Sequence, residues 1–489
     1  MNNLKNNHAR ISQKGILLIV LFFLVIALII YTVLFKDVLL YDADVMLIDE
    51  NDFTKASTAF SSHLPVIEIE YSSRRIDDRY NPASGTMRVF DNGSDKIENT
   101  LHDMPAYKYL NITFHVRGNS SFGFNKKSYH VEFFNNYNLK SLNAPILGLP
   151  ASSDFILYSS YTDKSLMRDW IAYDLGAKIL KQWTPKVVPV ELWLRSKDTK
   201  LANNNYQGIF FIMEKIKVEK NRVDLKPFTM AEDPLKWFED GGGYIVLRDH
   251  INDQNKMQVF RTNSEEMLIY YPKAKDMTPE IMEYITDEYQ HFEDMLHYTK
   301  NYSEKNGGIS KYFDMDSFVD TYIIQEFMQS VDGGRLSFYM YRDIGKKLVC
   351  GPIWDFNLAA GNADYNDCDR FDTWVVYHTP TYRALFDRKA FVDAVIKRWE
   401  ILRKNELSDE NIKKMIDEKK EILKPATKRN FDRWPELFDG KSYIWPNPYP
   451  YTTSWNQEVT NLKQYLLQRA AWMDKHFKDL YKNAKNINQ

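Results

Sequence analysis

Between Gly15 and Phe35 the chain reads GILLIVLFFLVIALIIYTVLF, 21 residues without a charge. As a helix this run is about 31 Å long, close to the roughly 30 Å hydrocarbon core of a bilayer, so the sequence predicts a transmembrane segment. The run ends in Tyr31-Thr32-Val33-Leu34-Phe35 with no small-residue cleavage pattern, which favours an uncleaved signal anchor over a signal peptide. Lys5, Arg10 and Lys14 precede it, whereas Asp37, Asp42, Asp44, Asp49, Glu50 and Asp52 crowd its far side after Lys36. Positive charge stays inside, which predicts a single-pass protein with a cytoplasmic N-terminus and an extracytoplasmic remainder. The expected order is a stub over 1–14, the anchor over 15–35, a spacer over 36–63, a main domain over 64–405 and a helical extension over 406–489 packed on it.

Over the whole chain 64 Lys+Arg stand against 66 Asp+Glu, and this balance argues against a nucleic-acid partner. Short alternating runs begin at Val66–Tyr71, Thr86–Phe90, Asn111–Val116 and Ser128–Phe134, bounded by Asn, Gly and Pro, and read as strands. Val187–Leu194, Gly208–Ile216 and Tyr244–Arg248 continue the pattern. Helical periods occupy Asp163–Lys181, Pro279–Lys300, Asp316–Gln329, Lys389–Arg403, Asp409–Leu423 and Asn456–Tyr481, with Asp316 as a candidate N-cap. The expected fold class is α+β: a single N-terminal transmembrane helix, then an antiparallel sheet and a helical C-terminal half. Cys350 and Cys368 lack metal-site spacing and read as core thiols or one bridge.

The most informative stretch runs from Phe318 to Gly361. A helix leads into Asp332-Gly333-Gly334, and two strands flank a turn at Asp343-Ile344-Gly345 before Gly351-Pro352-Ile353-Trp354-Asp355-Phe356-Asn357. Asp332 and Asp355 are 23 residues apart, with that turn at the midpoint, so a hairpin closing there brings both acids to one end. One carboxylate can hold a hard cation while the other takes a proton from an attacking hydroxyl, the division of labour in protein kinases. Acidic loops are also common without any such role, and spacing alone leaves both readings open.

Several motifs in order resemble the spore-coat H type (CotH) atypical protein kinases. They are Arg117-Gly118-Asn119-Ser120-Ser121 with Lys126-Lys127-Ser128-Tyr129, Asp163-Lys164-Ser165-Leu166-Met167-Arg168-Asp169, Tyr206-Gln207-Gly208 leading to Glu214, and Gly351 to Asn357. Trp374, Phe391, Arg398 and Trp399 resemble the helical segment that follows. The resemblance covers roughly Leu64 to Arg403. It implies an atypical protein-kinase-like fold with ATP and Mg²⁺ or Mn²⁺, Asp332 as catalytic base and Asp355 and Asn357 as metal ligands. It also implies a nucleotide site drawn from Arg117, Gly118, Ser120, Ser121, Lys126, Lys127, Arg168 and Glu214, with Glu214 paired to one of the lysines.

Two positions depart from the kinase pattern. Ser337 stands where D-x-x-x-x-N places an Asn, and Asn357 stands where the family often has Asp, which weakens divalent-ion binding. Gly440-Lys441-Ser442 lacks the first Gly of a phosphate loop, and no G-x-G-x-x-G, H-E-x-x-H or G-x-S-x-G occurs. The expected function is a membrane-anchored extracytoplasmic kinase acting on exposed Ser/Thr of surface or coat proteins. The alternatives are an inactive kinase-fold scaffold or adhesion protein, or a nucleotidyl transferase on the same fold.

Overall fold

Alternation of apolar and polar residues gives the first half its strands, and the computed structural model shows how they close. It describes residues 60–72, 76–93, 97–228, 234–252, 255–297, 308–442, 444 and 452–484. β1 (Val66–Tyr71), β2 (Ala83–Phe90), β3 (Tyr107–Arg117) and β4 (Ser128–Phe133) are followed by a ribbon of β5 (Ala144–Ile146) and β6 (Leu149–Ser152). Then come β7 (Asp154–Tyr158), helix α1 (Arg168–Ile179), β8 (Val187–Ser196) and β9 (Tyr206–Met213). Seven of these strands form a closed barrel in the order β1-β2-β3-β4-β7-β9-β8.

This corrects the expected antiparallel sheet. β1 and β8 pair in parallel, Val66 with Glu191 through Tyr71 with Ser196, and that pairing closes the barrel. Period-2 alternation is the same for either strand direction, so the sequence pattern could not reveal the closure. The membrane assignment is corrected as well. No helix among the described residues is long and apolar enough to cross a membrane, and the 15–35 run behind the expected single-pass topology lies outside the described residues.

Beyond the barrel lie α2 (Pro234–Glu239), β10 (Gly243–Arg248), β11 (Val259–Arg261), β12 (Glu266–Tyr271), α3 (Pro279–His297), α4 (Met315–Phe327), β13 (Phe338–Asp343) and β14 (Val349–Cys350). A second, antiparallel sheet has the order β11-β12-β10-β13-β14. α5 (Pro380–Phe386), α6 (Lys389–Lys404), α7 (Asp409–Arg433) and α8 (Trp455–His476) complete the chain. The cap of α4 is Asp314, whose carboxylate accepts the Ser317 N–H at 3.1 Å, and Asp316 lies in the first turn instead. α7 runs past the expected stop at Leu423 and through Pro425, because Ala426, Thr427 and Asn430 are buried and the helix packs on β9. Packing outweighs the helix-breaking tendency of the proline.

One apolar core joins the layers. It includes Ile156, Ile209 and Met213 of the barrel, Ile171 and Leu175 of α1, Ile323 of α4, Ile353 and Phe356 after β14, and Leu462 of α8. Cys350 and Cys368 are both buried free thiols within the described structure, so the bridge does not form.

Candidate active site

Four segments from different elements end at one cleft. The first is the loop after β3, where Gly118 has φ 106° and a Cβ would meet Ser121 Oγ at 1.8 Å. Only glycine fits there, and the loop closes into the turn Ser120–Gly123 with Ser120 and Ser121 facing the cleft. The second segment follows β10, whose register with β13 pairs Arg248 with Phe338 and so sets Asp249 beside Ser337. The third follows α4, where the Asp332 carbonyl accepts the Arg335 and Leu336 N–H groups at 2.8 Å. The fourth follows β14 and carries Trp354, Asp355 and Asn357.

Together they line a cavity of about 220 Å³ with Arg117, Asp249, Asp332, Ser337, Asp355 and Asn357 on its wall. Asp355 has φ 63°, a left-handed conformation that Asp tolerates better than most residues. Its neighbours hold it there: the Tyr173 hydroxyl accepts the Asp355 N–H at 3.2 Å and Asp169 Oδ1 accepts the Phe356 N–H at 2.7 Å. Asn357 Nδ2 donates to Asp355 Oδ1 at 2.7 Å.

Crowding of carboxylates sets the electrostatics. Burial, followed by the Asp249 charge, pushes the Asp332 carboxyl up to about 6, with Arg335 opposing. Burial and the Asp332 charge push Asp355 up to about 7, against the pull of Arg117. A base must be deprotonated to act, so if Asp332 serves as one, turnover should rise as pH increases through about 6. Asp249→Asn removes a charge that raises the Asp332 pKa, so the acid limb of kcat/KM should move to lower pH. An unmoved limb would show that Asp332 does not set it.

The remaining residues expected at the nucleotide lie elsewhere. Lys126 is buried and donates to the Ile209 carbonyl and, at 3.0 Å, to Asn430 Oδ1. Burial and then the Arg433 charge lower its pKa well below the usual lysine range. Lys127 donates to the Phe122 carbonyl at 2.7 Å. Glu214 is fully buried, accepts the Lys186 N–H at 2.9 Å and pairs with Arg222 at 3.4 Å, not with either lysine. Arg168 is also fully buried, with Asp163 at 2.5 Å and Glu458 at 3.0 Å. The cleft therefore gathers Asp332, Asp355, Asn357, Arg117, Ser120 and Ser121, with Gly118 shaping its loop, and leaves these four outside.

Asp249 escaped sequence reasoning because its place depends on strand pairing, and nothing local to Arg248-Asp249-His250 marks it. A family model described as CotH kinase protein matches residues 114–473. The chain belongs to the CotH kinase family. No curated protein matches it. The CotH match spans all four segments of the cleft.

Members of a kinase family imply a divalent metal, and the cleft fits one. Asp355 and Asn357 offer hard oxygen donors of the kind Mg²⁺ and Mn²⁺ take. Asp169, against the Asp355 turn, has a buried Oδ2 without a hydrogen-bond partner. A second cluster is already filled by the chain's own cations. His130, Glu132 and Asp154 each bring a ligand atom within 4.8 Å of the others. Lys215 Nζ lies 3.0 Å from Asp154 Oδ2 and 3.2 Å from His130 Nε2, and Lys217 Nζ lies 3.1 Å from Asp154 Oδ1.

Proposed function

We propose that this CotH family member transfers the γ-phosphoryl of ATP to Ser/Thr hydroxyls of a protein substrate. The observation that carries the reading is that Asp332, before β13, and Asp355, after β14, meet at the open end of that hairpin and line one cleft with residues of the Arg117–Ser121 loop. Asp332 takes the hydroxyl proton as the oxygen–phosphorus bond forms and the bond to the β–γ bridging oxygen breaks, releasing ADP. Arg117 and the backbone amides of Gly118 to Ser121 balance phosphate charge. Asp355 and Asn357 would hold the divalent cation, which would neutralise charge on the phosphate oxygens.

Incubation with labelled ATP, Mg²⁺ or Mn²⁺ and a Ser-rich protein tests the proposal. Transfer is expected, and Asp355→Ala should lower it by at least about 10²-fold, the scale for losing a preorganised electrostatic partner. Transfer unchanged by that substitution overturns the reading. Mass spectrometry of the product distinguishes a phosphoryl from a nucleotidyl adduct.

A second reading, a kinase fold without transfer, draws on one feature. Neither Lys126 nor Lys127 lines the cleft, so the phosphates meet Arg117 without a lysine from that pair. Thermal shift with ATP and metal separates a scaffold that has lost the nucleotide from an enzyme, since binding to the folded state raises the Tm.

A further inference from the structure

Asp169 has no role in the reading above, yet its surroundings are those of a ligand site. It stands in the first turn of α1 and is 7% exposed. Oδ1 accepts the Phe356 N–H at 2.7 Å, which fixes the carboxylate against the turn that carries Asp355. Oδ2 is buried and has no hydrogen-bond partner. The Tyr158 and Tyr173 hydroxyls stand close enough to the carboxylate to act on it as weak hydrogen-bonding neighbours, but neither reaches Oδ2 with full hydrogen-bond geometry.

Asp169 lines a small cavity of about 70 Å³ together with Ser128, Tyr158, Asp355 and Asn357. This cavity adjoins the larger cleft, and Arg117, Ser121, Trp354, Asp355 and Asn357 line both. Its size is informative. A water takes about 30 Å³ of liquid volume, so the space has room for a cation with a water or two.

A buried carboxylate oxygen with no donor costs on the order of a few kcal/mol, and a second carboxylate beside it adds repulsion. Selection for packing alone would place an amide or an apolar residue here. A divalent cation offsets both costs at once, and oxygen donors from Asp169, Asp355 and Asn357 suit Mg²⁺ or Mn²⁺, which keep waters in their remaining positions.

We infer that Asp169 is the second carboxylate of the divalent-cation site, facing Asp355 across the small cavity. The inference rests on Asp355 holding the cation in the proposed phosphotransfer. The plainer role for Asp169 is to shape the Asp355 turn through the Phe356 N–H. Asp169→Asn separates the two, because the amide oxygen still accepts that N–H while the charge is lost.

Binding of Mn²⁺ alone to the full chain, read from the free-ion signal in electron paramagnetic resonance, gives the answer without any turnover. Wild type should bind, and Asp169→Asn and Asp355→Asn should each weaken binding by at least about tenfold, the scale for loss of a ligand or its close partner. Wild-type affinity in Asp169→Asn with loss in Asp355→Asn overturns the role of Asp169 and leaves the phosphotransfer reading standing. Wild-type affinity in both variants, or no binding by wild type, overturns both. Should Asp169→Asn not fold, anomalous diffraction from wild-type crystals soaked in Mn²⁺ decides. A peak bridging the Asp169 and Asp355 carboxylates supports the inference, and a peak on Asp355 without Asp169 overturns it.

Discussion

Asp332→Ala should lower kcat for phosphoryl transfer by about 10² to 10⁴, the range for losing a positioned general base, while ATP affinity changes little. The asymmetry follows from where the residue sits. Asp332 and the Arg117–Ser121 loop line the cleft from separate segments, and the proposed function gives phosphate charge to the loop and the proton to Asp332, so removing its carboxylate should take away a proton acceptor and no phosphate contact. Its charge also raises the Asp355 pKa, so its loss leaves Asp355 more fully ionised at neutral pH. Steady-state kinetics with calorimetric titration of ATP and Mg²⁺ check this. Equal loss of binding and turnover would remove Asp332 from the role of base.

The largest effect on stability should come from Arg168→Met, about 3–5 kcal/mol lost, with little change in nucleotide affinity of the protein that remains folded. The guanidinium is fully buried between Asp163 and Glu458, and its Nε also donates to the Ala359 carbonyl at 2.9 Å. Methionine matches the length of the stem and leaves two carboxylates uncompensated in the interior, which is why breaking such a cluster costs more than its net worth. Asp163 is committed to α1 as well, since its Oδ2 accepts the Arg168 N–H at 2.8 Å. Glu458 lies on α8, so the arginine ties the first helix to the last and to the loop just beyond Asn357. Urea denaturation measures the loss. A change below about 1 kcal/mol, the size of an exposed pair, would show that the cluster is hydrated in solution.

Both outcomes bear on how residues in one motif acquire different work. Arg168 and Asp169 are adjacent in the D-K-S-x-M-R-D run, but the arginine points into the core and the aspartate lines the cavity beside Asp355. A helix separates successive side chains by about 100°, so neighbours in a motif need not share a site. Lys126 shows the same on an approach to a strand: it is buried against Asn430 of α7, while Lys127 returns to its own loop. Gly208 makes that contact possible, since with φ 90° a Cβ there would lie 2.4 Å from Asn430 Oδ1.

What the sequence determined by itself was local or short in range. Alternation marked β1 to β4, and the turn midway between Asp332 and Asp355 marked a hairpin that β13 and β14 form, with Met340 opposite Cys350. The ordered motifs carried the CotH kinase family. Tertiary structure alone decided what depends on pairing between distant segments. Closure of the barrel required a parallel match of β1 with β8, to which alternation is blind. The place of Asp249 beside Ser337 required the register of β10 with β13, and the separation of Asp169 from Arg168 required a core to bury one and a cavity to receive the other. Residue type and spacing set which chemistry a chain can carry, whereas burial and strand register choose which of its charges meet, because interaction between charges depends on distance and on the water removed from around them.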